Sequence, residues 1–76
     1  MTKYLDLELP TTTKPSERIG WAGERFADLA EGIIGVDVGW FIWGIIVGWS
    51  DLGTADEKRQ YGALAANYEQ LIRSMT

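Results

Sequence analysis

Few residues in this chain are of types that do chemistry. The most conspicuous is Asp37, the single charge within residues 32–50, which read GIIGVDVGWFIWGIIVGWS. If that stretch crosses a bilayer, a carboxylate is expensive there, and Asp37 reads as an intramembrane polar contact that pairs with a partner's Arg or Lys or carries a proton. The plainer alternatives are that Asp37 marks the headgroup level, caps a helix beginning at Val38, or faces water. Asp28 and Glu31 fall on one helical face, but no nucleophile or His accompanies them, so they read as solvated surface. Asp56, Glu57, Lys58 and Arg59 read as ordinary first-turn helix charge.

The chain has no His and no Cys. Imidazole acid–base chemistry at neutral pH, disulfides and Cys-based metal sites are therefore excluded. No Gly-rich phosphate loop, metal-ligand spacing or nucleophile elbow occurs. The expectation is a non-enzyme with no catalytic residue, no metal and no cofactor. Its 76 residues allow one domain at most, near the size where a lone core is marginal. The net charge of −4 is spread evenly, with four basic and six acidic residues through Glu31 and three and five after it. That balance disfavours phosphate backbones, so no nucleic-acid partner is expected.

The elements that would hold these residues are organised around 32–50, which carries five Ile, three Val, one Phe, three Trp and five Gly. Counted from Gly32 the run has 19 residues, and counted from Val38 it has 13. Those lengths fall on either side of the boundary between a transmembrane helix and a buried core helix. Nine Ile, Val and Phe residues favour insertion by roughly 3–5 kcal/mol, and Asp37 opposes it by up to about 3 kcal/mol. A lone span is thus marginal and calls for partners.

Glycine placement supports partners. At 100° per residue, Gly44 and Gly48 lie within about 20° of Asp37, while Gly35 and Gly39 lie nearly opposite. Each pair has the spacing that lets helix backbones approach closely in lipid, although such spacing also arises by chance in a Gly-rich run. In a water-soluble helix each glycine costs about 1 kcal/mol relative to Ala. Trp21, Trp40, Trp43 and Trp49 are candidate interface aromatics. Trp49 suits an interfacial belt, whereas Trp40 and Trp43 fall mid-span and need a partner for the indole N–H. A strand reading of VDVGWFIW is weakened by Gly39, Gly44 and Gly48.

Residues 1–14 alternate Leu5, Leu7 and Leu9 with Asp6 and Glu8, a pattern for an extended segment that joins a partner sheet or stays a tail. Residues 15–31 form an amphipathic helix opened by Pro15 and Glu17, with Ile19, Ala22, Phe26, Leu29, Ala30 and Ile33 on one stripe. This helix either docks on protein or runs straight into the apolar stretch. Gly53 ends the apolar stretch, and Thr54 with Glu57 makes a capping box for the helix that follows. In that second amphipathic helix, within 51–76, Leu64, Tyr68, Leu71, Ile72 and Met75 share a face.

The expected fold is all-α: extended segment 1–14, amphipathic helix 15–31, Gly-rich single transmembrane helix 32–50 and C-terminal amphipathic helix 51–76. The expected role is a small single-pass membrane accessory subunit that packs against larger membrane protein subunits within a lipid bilayer, Gly35, Gly39, Gly44 and Gly48 seating the neighbours. It would be an uncleaved anchor, because no secretory signal is visible. The alternatives are a soluble small helical protein-binding module, such as a phage-type inhibitor or adaptor, and a self-assembling coat or pilin-like homo-oligomer.

Overall fold

A computed structural model describes residues 9–76. Three helices follow one another: α1 Pro15–Ala30, α2 Val36–Leu52 and α3 Ala55–Met75. The all-α expectation therefore holds, and residues 9–14 carry neither helix nor strand. Most of the alternating Leu5–Leu9 pattern lies outside the described residues, and Leu9 itself is exposed.

Pro15 starts α1 at the position where its missing N–H is no loss. Gly32 stops it. With φ +79, Gly32 takes the left-handed conformation, its amide donates to the Leu29 carbonyl, and the Ile33 amide donates to the Asp28 carbonyl at 2.8 Å. This is the glycine-terminated helix end that satisfies two otherwise unpaired carbonyls. It has two consequences for the sequence reading. The first helix does not run into the apolar stretch, and Ile33, expected on its buried stripe, stands past the helix end and is 68% exposed.

The expected transmembrane helix over 32–50 is corrected by the same turn. Residues 32–35 are not helical, and the 17-residue α2 is about 25 Å long against a hydrocarbon core of about 30 Å. Among the described residues, no helix is long and apolar enough to cross a membrane.

The α2–α3 connection is the tightest joint. Thr54 caps α3: its Oγ1 accepts from the Glu57 amide at 3.3 Å, and Glu57 Oε1 accepts from the Thr54 amide at 2.8 Å. Gly53 is required there for space. A Cβ at position 53 would lie 2.8 Å from Glu57 Cβ and 3.3 Å from the Trp49 carbonyl oxygen.

Pairings along the helices fix their directions. Leu29 meets Gly39 and Trp21 meets Trp49, so α1 and α2 are antiparallel. Gly39 also meets Ile72 and Trp49 meets Tyr61, so α2 and α3 are antiparallel as well. The core between them consists of Ala22, Leu29, Val38, Ile42, Ile46, Tyr61, Ala65, Tyr68 and Ile72. Leaving that set exposed would forfeit about 25 cal/mol per Å² of apolar surface, the main force holding so small a bundle together.

Candidate interaction face

The core uses one side of α2. Val38, Ile42 and Ile46 recur every fourth residue and are buried. The opposite side is Asp37, Trp40, Phe41, Gly44, Gly48, Asp51 and Leu52, which at 100° per residue share an arc about 120° wide. All seven are exposed. Trp40 is 38%, Phe41 39% and Leu52 90% exposed, so the arc presents large apolar groups to the outside.

The glycines on the two sides behave differently. A Cβ at Gly39 would lie 3.0 Å from Leu29 Cδ2 and 3.2 Å from Ile72 Cδ1. The missing side chain there lets tips from α1 and α3 settle onto the α2 backbone. Gly35 is no longer a helical neighbour of Gly39 on a common face, because it is the extended N-cap of α2. Gly44 and Gly48 are the reverse case: among the described residues, a Cβ at either position would meet nothing within 4 Å. They leave a shallow trough one helical turn long, and the Trp40 and Phe41 positions straddle its line one turn upstream.

The four tryptophans divide between these surroundings. Trp21 and Trp49 are half-buried, edge to face at 6.2 Å, with Tyr61 5.7 Å from Trp49 and the Arg18 guanidinium 4.9 Å above the Trp49 ring. That cluster closes one end of the bundle and includes a cation–π contact. Trp40 and Trp43 form a second edge-to-face pair, at 5.4 Å and 89°. Trp43 packs against the core while Trp40 remains exposed, so the pair joins the interior to the outer arc.

Asp37 lies in the first turn of α2, where the helix dipole favours a negative charge. Its Oδ1 accepts from the Val38 amide at 3.0 Å. Asp51 sits in the last turn at the other end of the arc and is exposed.

Elsewhere the polar groups are structural. Arg25 Nε donates to Asp28 Oδ2 at 2.7 Å, with Glu24 3.8 Å from the same guanidinium. Asp28 is thus ion-paired and half-buried rather than simply solvated. The Tyr68 hydroxyl donates to the Ala22 carbonyl, and burial pushes its pKa well above the usual phenol value. The Tyr61 hydroxyl is buried with no hydrogen-bond partner among the described residues. Among the described residues no group of three or more Asp or Glu side chains is placed to hold a metal.

No protein-family model, curated protein or solved structure matches this chain. The functional reading therefore rests on the geometry of the outer face. Sequence periodicity had already put Gly44, Gly48 and Asp37 on one side of the helix. It missed that Trp40 and Phe41 complete that side, although the same 100° count contains the signal. The Tyr68–Ala22 link had no signal, since nothing in a sequence marks which carbonyl a distant hydroxyl will reach.

Proposed function

We propose that this protein is a small non-catalytic binding module that docks onto a larger protein through the outer face of α2. The observation that carries the reading is the contrast across that helix. Its inner side is filled by the chain's own residues, while its outer side combines exposed Trp40, Phe41 and Leu52 with two glycines that no described residue occupies. Each of these glycines costs the helix about 1 kcal/mol relative to Ala. Gly39 recovers that cost by admitting Leu29 and Ile72; Gly44 and Gly48 admit no side chain of the described residues. Exposed aromatics clustered beside open backbone are typical of interaction sites.

The test compares tagged wild-type chain with Gly44→Leu and Gly48→Leu, recovered from its native cells and checked for helicity by circular dichroism. Loss of the same partner band from both folded variants supports docking on this face. Undiminished recovery with both variants sinks it.

A second reading keeps the module in a membrane, as a single-pass accessory subunit of a larger membrane complex. It is favoured by the apolar character of α2, whose only charges are Asp37 and Asp51, near its ends. It requires α1 and α3 to part from α2, so that Val38, Ile42 and Ile46 meet lipid instead of each other's neighbours. Detergent-free fractionation separates the two: recovery in the soluble fraction supports the binding module, and recovery only with detergent supports the membrane subunit. Isolation as a uniform filament would favour the coat-like homo-oligomer instead.

A further inference from the structure

The turn between α1 and α2 interrupts a pattern that the sequence carries straight through it. The α1 stripe of Ile19, Ala22, Phe26 and Leu29 advances by three and four residues, the spacing of a face that another helix covers. The same spacing continues at Ile33 and Val36 and reaches Trp43 seven residues on. Of these residues Ile33 alone is exposed, at 68%. The others belong to the core or pack against it.

Two glycines hold the turn. Gly32 takes φ +79, and Gly35 is extended at φ −86 and ψ 170. Were residues 31–35 to adopt helical angles, α1 and α2 would become one helix of 38 residues, 15–52, about 57 Å long. Ile33 would then stand in line with Leu29 and Val36.

The packing of α1 survives that change if a second copy makes it too. Leu29 meets Gly39 and Trp21 meets Trp49, pairs whose midpoints are positions 34 and 35, inside the turn. Two straightened copies laid antiparallel about a twofold axis there bring Leu29 of each onto Gly39 of the other. Ile33 comes opposite Val36 of the second copy. Every contact of α1 is remade between copies and only the turn is lost, the condition under which exchanging an element costs little.

We propose that this chain forms a twofold dimer by exchanging α1, with Gly32 as the hinge and Ile33 buried at the axis. The partner is a second copy, and the surface it fits is the α2–α3 groove vacated by the chain's own α1. Exchange uses the inner side of α2 and does not rest on the docking reading. Glycine keeps the closed form accessible, because a positive φ costs it little. Any L side chain at position 32 is strained in the turn and unstrained in the long helix.

The test compares wild type, Gly32→Ala and a synthetic chain carrying D-alanine at position 32. No described residue would meet the L-methyl there, so the substitution acts on the turn alone. L-alanine resists the left-handed turn, and D-alanine resists the right-handed helix. By sedimentation equilibrium Gly32→Ala should dimerise at least about a hundredfold more tightly than wild type, and the D-alanine chain less tightly. Because the chain has no Cys, spin labels can be placed uniquely on Ser16→Cys and Asp51→Cys, both exposed positions. An excess of unlabelled chain restricts the measurement to distances within one copy. In the closed form both labels sit at the end of the bundle where Trp21 meets Trp49; in the exchanged form they lie about 52 Å apart. A Gly32→Ala dimer with the long distance supports exchange. A dimer that keeps the short distance is a surface contact and overturns it, as does equal dimerisation of the L- and D-alanine chains. Gly32→Ala remaining monomeric at about 1 mM, or losing its helicity, also overturns it, because exchange offers the strained turn a folded alternative.

Discussion

The Tyr68 hydroxyl donates to the Ala22 carbonyl, joining α3 to α1 across 46 positions of sequence. The Phe26 and Tyr68 rings pack edge to face at 5.2 Å, and both Tyr68 and Ala22 are fully buried. A helical carbonyl can take a second donor, which makes Ala22 a partner that needs no local unwinding. Tyr68→Phe should cost about 0.5–1.5 kcal/mol, the usual net worth of such a bond, measured by urea unfolding.

The same hydroxyl gives the fold an alkaline limit. Desolvation raises the Tyr68 pKa in the folded state, with Arg25 lowering it and Asp28 raising it to lesser degrees. The unfolded chain ionises this phenol near about pH 10. The stabilisation is therefore fully present below that pH and is lost as pH rises above it, because the unfolded state gives up its proton first. Wild type should lose stability between pH 9 and 11 more steeply than Tyr68→Phe, by about 1 kcal/mol or more at the alkaline end. Parallel slopes would remove Tyr68 as the cause.

Tyr61 should behave oppositely to Tyr68. Its ring packs beside Trp49, but its buried hydroxyl finds no partner among the described residues. Removing an unsatisfied buried group relieves a desolvation cost of about 1–3 kcal/mol. Tyr61→Phe is expected to raise the melting temperature while Tyr68→Phe lowers it, and a loss of stability in both variants would contradict the assignment.

Gly39, Gly44 and Gly48 should separate when each is replaced by Ala. No described residue would meet a methyl at either of the last two, so each variant should gain about 0.5–1 kcal/mol from helix propensity. At Gly39 the new methyl presses on Leu29 and Ile72, and overpacking costs of about 1–3 kcal/mol cancel or exceed that gain. The stability order measured by denaturant should place Gly39→Ala below both of the others.

Ile46 tests which surroundings α2 occupies. It is fully buried among the chain's own helices, so Ile46→Ala should remove about 2–5 kcal/mol in detergent-free buffer, a large part of the stability of so small a domain. The thermal transition should fall sharply or disappear. An unchanged transition would mean that the side chain is not in this core.

Much of the architecture could be read from residue order alone. Pro15 and Glu17 marked one helix start, Thr54 and Glu57 the other, because caps are made by residues a few positions apart. The 3.6-residue period also grouped Gly44 and Gly48 with Asp37, since a shared face depends only on spacing. Local sequence could not decide what each face of α2 would meet. Burial of apolar area is favourable and non-directional, so Ile42 and Ile46 satisfy it equally in lipid, in a partner or against Leu29 and Ile72. In the tertiary structure the left-handed turn at Gly32 and the close joint at Gly53 reverse the chain, and α1 and α3 pack back onto α2. They filled the Gly39 side with the chain's own residues and left the Gly44–Gly48 side facing outward.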